Sequence, residues 1–246
     1  MVEIMDDAQL GCIWNNAEWC DLVCRSHSVP GTYEPCLWIR PGIGPEFYPN
    51  IITLTRGDEQ EQTERISELL ALRSGISVKD SFSALDLSTI GMRRLFDAEW
   101  VWMDPMPARL SFNPNERWSR IESAAELVHW QSAWRGTCVG PPVFLPSLLE
   151  NSSVTFLAAW SGAAIVAGCV LNRDANGIVG GIEPVFSFGW TRCVFRCRNP
   201  SRRSVCPRGA FGRIRKRRRT DPNEVLRFSP GWGSQYLGID DGHSVA

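Results

Sequence analysis

The sequence lacks the short motifs by which several large classes of enzyme are recognised. It contains no G-x-G-x-x-G, no P-loop, no H-E-x-x-H, no paired C-x-x-C and no G-x-S-x-G pattern. The common nucleotide-binding, zinc and hydrolase signatures are therefore absent, and no nucleophile stands beside an evident base. Function must be inferred from the organisation of the chain.

A secretory signal and a regular cysteine framework are also missing. The nine cysteines are an odd number at irregular spacings, which argues against a closed set of disulfides, so we expect a reducing cytoplasm. Cys20 and Cys24 have only His27 nearby, too few donors for zinc. We expect both cysteines to be small core residues.

The chain has almost no net charge, but its charged residues are unevenly distributed. The net charge of -1 over 246 residues conceals 13 Lys and Arg against 23 Asp and Glu in residues 1–185, and 13 against 4 in residues 186–246. The hydrophobic content of 43% permits a substantial core, and the length suits one large domain or two small ones. The balance of charge changes from acidic to basic near Phe186.

An uncharged run over residues 151–172 is long enough to cross a bilayer. Ser161 and Gly162 divide it into two segments rich in β-formers, which favours a hairpin over a membrane span. The segment GIVGGIEPVF, residues 177–186, is predicted to be the next strand.

Hydrophobic periodicity predicts an α/β fold with a mixed sheet. One helix is predicted over 17–27, with Asn16 as its N-cap. A second helix is predicted to begin after Asp58, which forms a capping box with Glu61, and a third is predicted over 116–134. Strands are predicted over 36–40 and 50–56, and residues 76–103 suggest a strand, a helix and a second strand. His129 is expected to be a buried or half-buried structural residue.

Three ordered segments of the chain resemble one family. They are EFYPNIITLT, VKDSFSALDL followed by GMRRLFDAEWVW, and VTFLAAWSGAAIVAGCVLNRDANGIVGGIEPVFS. Together they resemble bacterial proteins of the GNAT superfamily, the acetyl-CoA-dependent N-acetyltransferases, over about residues 14–187. The resemblance implies an α/β (α+β) fold with a mixed β-sheet flanked by helices. It also implies a degenerate N-terminal lobe over 1–110 and a partial acetyltransferase domain over 111–187. Residues 188–246 are expected from their composition to be an irregular, basic, disordered tail.

The resemblance also implies a chemistry and a place for it. Acetyl-CoA would be the acyl-donor substrate, a small-molecule or peptide amine would be the acceptor, and no metal is implied. The stretch that would face the cofactor contains Ile182, Glu183, Val185 and Phe186, and Glu183 is the candidate base. The alternative is that Glu183 faces solvent. Pro184 removes one backbone donor from this strand, and the family shows a stretch similar to GISNVFS where this chain has GIEPVFS.

Five aromatic residues of the N-terminal lobe are candidates for lining a substrate cleft, although most are expected to pack in the core. They are Trp38, Phe47, Tyr48, Trp100 and Trp102.

A GNAT fold should continue after residue 187 with further helices and strands, but this chain continues with a segment rich in Arg, Pro and Gly. Three explanations are open. The run RIRKRRR, residues 213–219, is able to bind phosphates or direct localisation, which would fit a non-enzymatic protein that binds nucleic acid or an acidic partner. The tail could instead be a solvated disordered segment. We favour a third explanation, a shifted reading frame that begins near residues 183–190, because GRIRKRRRTD is compatible with VGYESGDEL in another frame. An acetyltransferase altered in this way is expected to be impaired.

Overall fold

The computed structural model describes residues 7–100, 117–136, 139–174, 179–187 and 233–238. The chain divides into two units, the first made of Met1–Glu99 with Trp232–Ala246 and the second of Trp100–Gly231. The boundary predicted at residue 110 lies outside the described residues.

The described chain mixes helices with runs of strands, as expected of an α/β fold. In order they are α1 (Asp7–Ser26), β1 (Thr32–Tyr33), β2 (Leu37–Ile39), β3 (Ile51–Thr53), α2 (Glu59–Leu72), β4 (Ser77–Asp80), β5 (Arg93–Glu99), β6 (Arg117–Arg120), α3 (Ala124–Arg135), β7 (Val154–Ser161), β8 (Ala164–Arg173), β9 (Val179–Ser187) and β10 (Gly233–Gly238). Short 3-10 turns occupy Ser88–Ile90 and Pro146–Glu150.

The first unit contains a six-stranded sheet in the order β1-β2-β3-β4-β10-β5. Strands β3 and β4 are parallel and are joined by α2, whereas the other pairs are antiparallel. Apolar residues of β2, β3 and β4 form a buried cluster with Ile66 of α2, and Leu69 and Leu70 pack against its edge. The strands predicted over 36–40 and 50–56, and the first strand of 76–103, are confirmed.

The second unit contains an antiparallel sheet in the order β6-β7-β8-β9. Strands β7 and β8 form the predicted hairpin, which turns at Gly162 with a φ of 61°. The uncharged run is therefore β-structure, and none of the described helices is long and apolar enough to span a membrane. Trp130 of α3 packs on one face of this sheet, with its ring 5.3 Å from that of Phe156.

Two predicted helix starts are wrong. Helix α1 begins at Asp7 instead of after Asn16, so Asn16 lies inside the helix and is buried. Helix α3 begins at Ala124, because Ser123 and Glu126 form a capping box there, and residues 117–120 form β6 instead. The buried stripe consequently runs through Leu127, Trp130 and Trp134, while Trp118 and Val128 are exposed.

Two local predictions in the first unit also differ from the structure. Asp58 does precede α2, but its carboxylate accepts a hydrogen bond from Thr55 Oγ1 and caps no helix amide. The helix predicted within residues 76–103 is only a 3-10 turn at Ser88–Ile90. Before it, the carboxylate of Asp80 accepts hydrogen bonds from the amides of Phe82 and Leu85 and holds a loop.

Residues 233–238 differ from the expected irregular tail, because they form β10 between β4 and β5. Two strand edges pair with the backbone of this segment, and backbone pairing does not require the side-chain alternation that the sequence lacks. The remaining residues of 188–246 lie outside the described residues, including the RIRKRRR run.

Candidate functional site

The candidate site is the strand β9, which carries the four residues predicted to face a cofactor. Ile182 lies opposite Val170 of β8, and Phe186 lies opposite Gly168. Between these two pairs, the three residues Glu183, Pro184 and Val185 of β9 face only Cys169 of β8. The ladder is therefore interrupted by a bulge at the predicted site.

The bulge has a cause in the sequence. Pro184 has no backbone N–H to give to a ladder, so prolines within sheets occur at bulges and edges. Strand β9 is the last strand of its sheet in the described part of the chain. Bulges re-aim the backbone and are common beside binding sites.

Strand backbone outside a ladder is able to pair with an extended amide chain, as it pairs with a peptide. Backbone groups of Glu183 and Val185 stand outside the regular β8–β9 ladder, and Pro184 offers a carbonyl but no donor. The side chains of β9 lie outside the described residues, so the role of Glu183 as a base stays a prediction.

The neighbourhood of β9 includes α3, and His129 of that helix lies on its exposed side. The prediction of a buried or half-buried histidine is wrong. The His129 ring meets that of Trp160 edge to face at 5.6 Å, and Trp160 Nε1 donates to Ser119 Oγ at 2.9 Å. These contacts tie the helix to β6 and β7.

Two buried polar residues near β9 were not predicted. Asn172 is opposite Gly180 of β9 and is 1% exposed, and Asp174 is 5% exposed. The strand alternation holds a signal for Asn172, because it shares a face with the buried Val170.

The N-terminus of α2, which follows β3 in the first unit, is a second place to consider for a phosphate, because helix N-termini favour anions. Here the position is acidic. Gly57, Asp58, Gln60, Glu61 and Glu64 line a shallow surface depression. The amide of Gly57 donates to Glu59 Oε1 at 3.0 Å, so this amide already has a carboxylate of the same chain as its acceptor.

The ends of β3 and β4 are also tied together. Thr53 Oγ1 donates to Asp80 Oδ1 at 3.2 Å, and the amide of Ser81 donates to Thr53 Oγ1 at 2.8 Å. These groups are buried. Side chains of Thr53 and Asp80 therefore link the ends of the parallel pair in the first unit.

The aromatic candidates separate into two groups. Trp38 is fully buried, as expected of a core residue, and its Nε1 donates to Asp21 Oδ1 at 3.3 Å. Phe47, Tyr48 and Trp100 are half-buried. Trp102 lies outside the described residues.

Cys20 and Cys24 of α1 are buried, as predicted. Burial raises the pKa of the Cys20 thiol to about 12, although Lys79 and Arg40 oppose the change, and burial likewise raises the pKa of Cys24 to about 12. Neither is a nucleophile near neutral pH. Among the described residues, no group of three or more His, Cys, Asp or Glu side chains is placed to hold a metal.

Comparison with known proteins identifies the fold. No protein-family model matches the chain, and no curated protein matches it. A similar solved structure is a GCN5-related N-acetyltransferase from Kribbella flavida, with a TM-score of 0.56, 15% identity and coverage of 98% of both chains. Identity at this level establishes the fold alone. The chain has a mixed α/β fold of the GNAT kind, with sheets flanked by helices.

Proposed function

We propose that the protein is a GNAT-type N-acetyltransferase that takes an acetyl group from acetyl-CoA and gives it to an amine, and that it acts in the cytoplasm. The observation that supports this most is the bulge at Glu183–Val185 on the last described strand of the second sheet. The acyl donor would lie along Ile182, Glu183, Val185 and Phe186. The fold shared with an acetyltransferase supports the same chemistry.

The assignment of roles follows from the requirements of the reaction. An amine attacks a thioester only when it is neutral, so a carboxylate such as Glu183 would accept its proton. Backbone groups of the bulged strand would orient the pantetheine arm and bring the thioester to that carboxylate. The acceptor would be a small-molecule or peptide amine.

We also propose that the chain works poorly as it stands, because its frame shifts near residues 183–190. In this account β9 is retained, whereas the segment after it, which should hold the pyrophosphate of acetyl-CoA, is replaced by an unrelated sequence. Acetyl-CoA would bind weakly and turnover would be slow. The coding DNA over residues 180–195 tests the shift, since an inserted or deleted base is expected there.

Activity is tested with this chain and with a second chain translated in the other frame from residue 190 onward. Both are incubated with labelled acetyl-CoA and a panel of amines. We expect slow transfer by the first and faster transfer by the second, with Glu183→Gln lowering kcat more than it raises KM in the second. Transfer by neither would contradict the function, whereas equal and rapid transfer by both would contradict only the impairment.

The binding-protein alternative predicts a different result. Salt-dependent retention of the chain on nucleic acid, lost when residues 190–246 are removed, would favour it. The acetyltransferase proposal is tested instead by the transfer assay, because the Arg-rich segment of this chain is basic under either proposal.

A further inference from the structure

Strand β6 forms one edge of the second sheet in the described part of the chain. It pairs there with β7 alone, and its residues Arg117–Arg120 are exposed or half-buried. The side chain of Trp118 is 43% exposed, whereas Trp130 of the same unit is fully buried. A strand edge that presents an aromatic side chain to solvent favours pairing with another strand.

The backbone of β6 directs two amides away from the sheet. The amide of Ile121, which follows the strand, donates to the Phe156 carbonyl of β7 at 3.0 Å. Successive amides of an antiparallel strand point alternately toward the partner and away from it. The amides of Trp118 and Arg120 are therefore directed away from β7, where the carbonyls of an added strand would accept their hydrogen bonds.

Two arginines give this edge a positive charge. Neither Arg117 nor Arg120 forms an ion pair with a carboxylate of the described residues. The Glu126 carboxylate at the start of α3 instead accepts hydrogen bonds from the amides of Glu122 and Ser123. An acidic segment that approached β6 would therefore meet two arginines whose charge is not neutralised by an ion pair.

A second copy of β6 does not suit this edge. If two β6 strands paired antiparallel about their centres, Arg117 of each copy would stand opposite Arg120 of the other. Like charges directly opposite each other destabilise a strand pair. The charges of β6 therefore favour a partner of the opposite sign.

We propose that β6 binds an acidic peptide segment of another protein, which adds to the second sheet as an antiparallel strand. Carboxylates would stand opposite Arg120 and Arg117, and an apolar residue would stand opposite Trp118. From its N-terminus, the segment would therefore read acidic, any residue, apolar, acidic. This proposal does not depend on the acetyltransferase function.

The probe is a fluorescein-labelled peptide, Thr-Ser-Glu-Thr-Val-Glu-Ser-Thr, titrated with the full chain and followed by fluorescence anisotropy. The arginines of residues 213–219 also attract acidic peptides, so binding by charge alone must be measured separately. A second peptide has proline in place of valine. It keeps the charge but lacks the amide that would donate to the Trp118 carbonyl.

Variants of the strand are compared with a control pair. Arg117→Glu combined with Arg120→Glu is expected to weaken binding of the valine peptide by at least about 10-fold, and Trp118→Ala by about 2–5-fold. Arg56→Glu combined with Arg94→Glu makes the same change of net charge on exposed arginines of the first unit. This control pair is expected to change the affinity by less than about 2-fold, because salt screens distant charges.

Hydrogen exchange of the unmodified chain locates the bound peptide without any variant. The valine peptide is expected to slow exchange of the Trp118 and Arg120 amides, and the proline peptide is expected to leave them unchanged.

Several results would overturn the proposal. They are equal binding of the two peptides, no binding of the valine peptide at about 1 mM, unchanged exchange of both amides at saturation, and equal affinity of the strand variants and the control pair. Tighter binding of an eight-nucleotide uridine oligonucleotide, lost in Trp118→Ala, would assign the surface to single-stranded nucleic acid and would overturn it as well.

Discussion

Lys79 Nζ lies 2.8 Å from Asn16 Oδ1, although 63 residues separate them in sequence and both side chains are buried. The contact joins the middle of α1 to β4. A buried ammonium group requires polar partners, so the position of α1 on the sheet is set by this hydrogen bond as well as by apolar packing.

Asn16→Ala is expected to lower the free energy of unfolding by about 1.5–3 kcal/mol, because it removes a hydrogen bond to a buried charged group. Urea denaturation measures the change. Gln60→Ala is the matched control, since its amide contacts Glu64 at 2.9 Å on the exposed side of α2. It is expected to change stability by less than about 0.5 kcal/mol. Equal losses in the two variants would show that the buried contact has no special weight.

Gly31→Ala is expected to destabilise the first unit by about 1–3 kcal/mol through overpacking. A Cβ at Gly31 would lie 2.2 Å from Cε2 of the buried Trp38 ring. Gly42→Ala is the control, because its nearest neighbour would be Val29 Cγ1 at 3.6 Å, an ordinary contact. Thermal melting of both variants measures the difference, and a Gly31→Ala protein as stable as Gly42→Ala would show that the glycine is not required there.

Ser123→Ala is expected to lower the free energy of unfolding by about 1 kcal/mol, since Ser123 Oγ accepts a hydrogen bond from the Glu126 amide at the start of α3. Ser132→Ala on the same helix is the control, because its hydroxyl only donates back to the Val128 carbonyl at 2.8 Å. Chemical denaturation of the two variants gives the comparison. A loss as large at Ser132 would remove the cap as the explanation.

The same capping box predicts a pH dependence. Hydrogen bonds from the Glu122 amide and from Ser123 lower the pKa of Glu126, so its stabilising effect is complete above the ordinary glutamate pKa and is lost as the pH falls through the lowered value. The stability difference between the parent and Glu126→Gln is therefore expected to shrink in acid.

Cys20 and Cys24 are expected to resist alkylation in the folded protein at pH 8, because burial raises the pKa of each thiol to about 12. Iodoacetamide labelling followed by peptide mass spectrometry tests this. Full labelling of both is expected after unfolding in urea. Rapid labelling of either thiol in the native protein would contradict its burial.

Strands β2, β3 and β4 and the β7–β8 hairpin could be predicted from the sequence, because each is a short run of β-formers bounded by turn residues. The uncharged run became β7 and β8 for this reason. The start of α3 was misplaced because Trp118 fits a helical period as well as it fits an edge strand, and only the cap at Ser123 separates the two.

Other features could not be predicted because they depend on distant pairing. Nothing in GSQYLG indicates a strand that β4 and β5 flank, since its partners are more than a hundred residues away in sequence. Pro184 gives a local indication of the bulge at Glu183–Val185. Its position opposite Cys169 depends on how β8 and β9 pair, which the local sequence does not determine. Asn16 was predicted to be an N-cap because asparagine is favoured at N-caps, and its burial inside α1 depends on the distant residue Lys79.

The most direct test of the proposed donor site is hydrogen–deuterium exchange of this chain with and without a saturating concentration of acetyl-CoA. The account predicts slower exchange of the backbone amides of β9 within residues 182–187, and no change at residues 55–62, where α2 begins in the first unit. Protection at residues 55–62, or no protection of β9 at saturation, would contradict it.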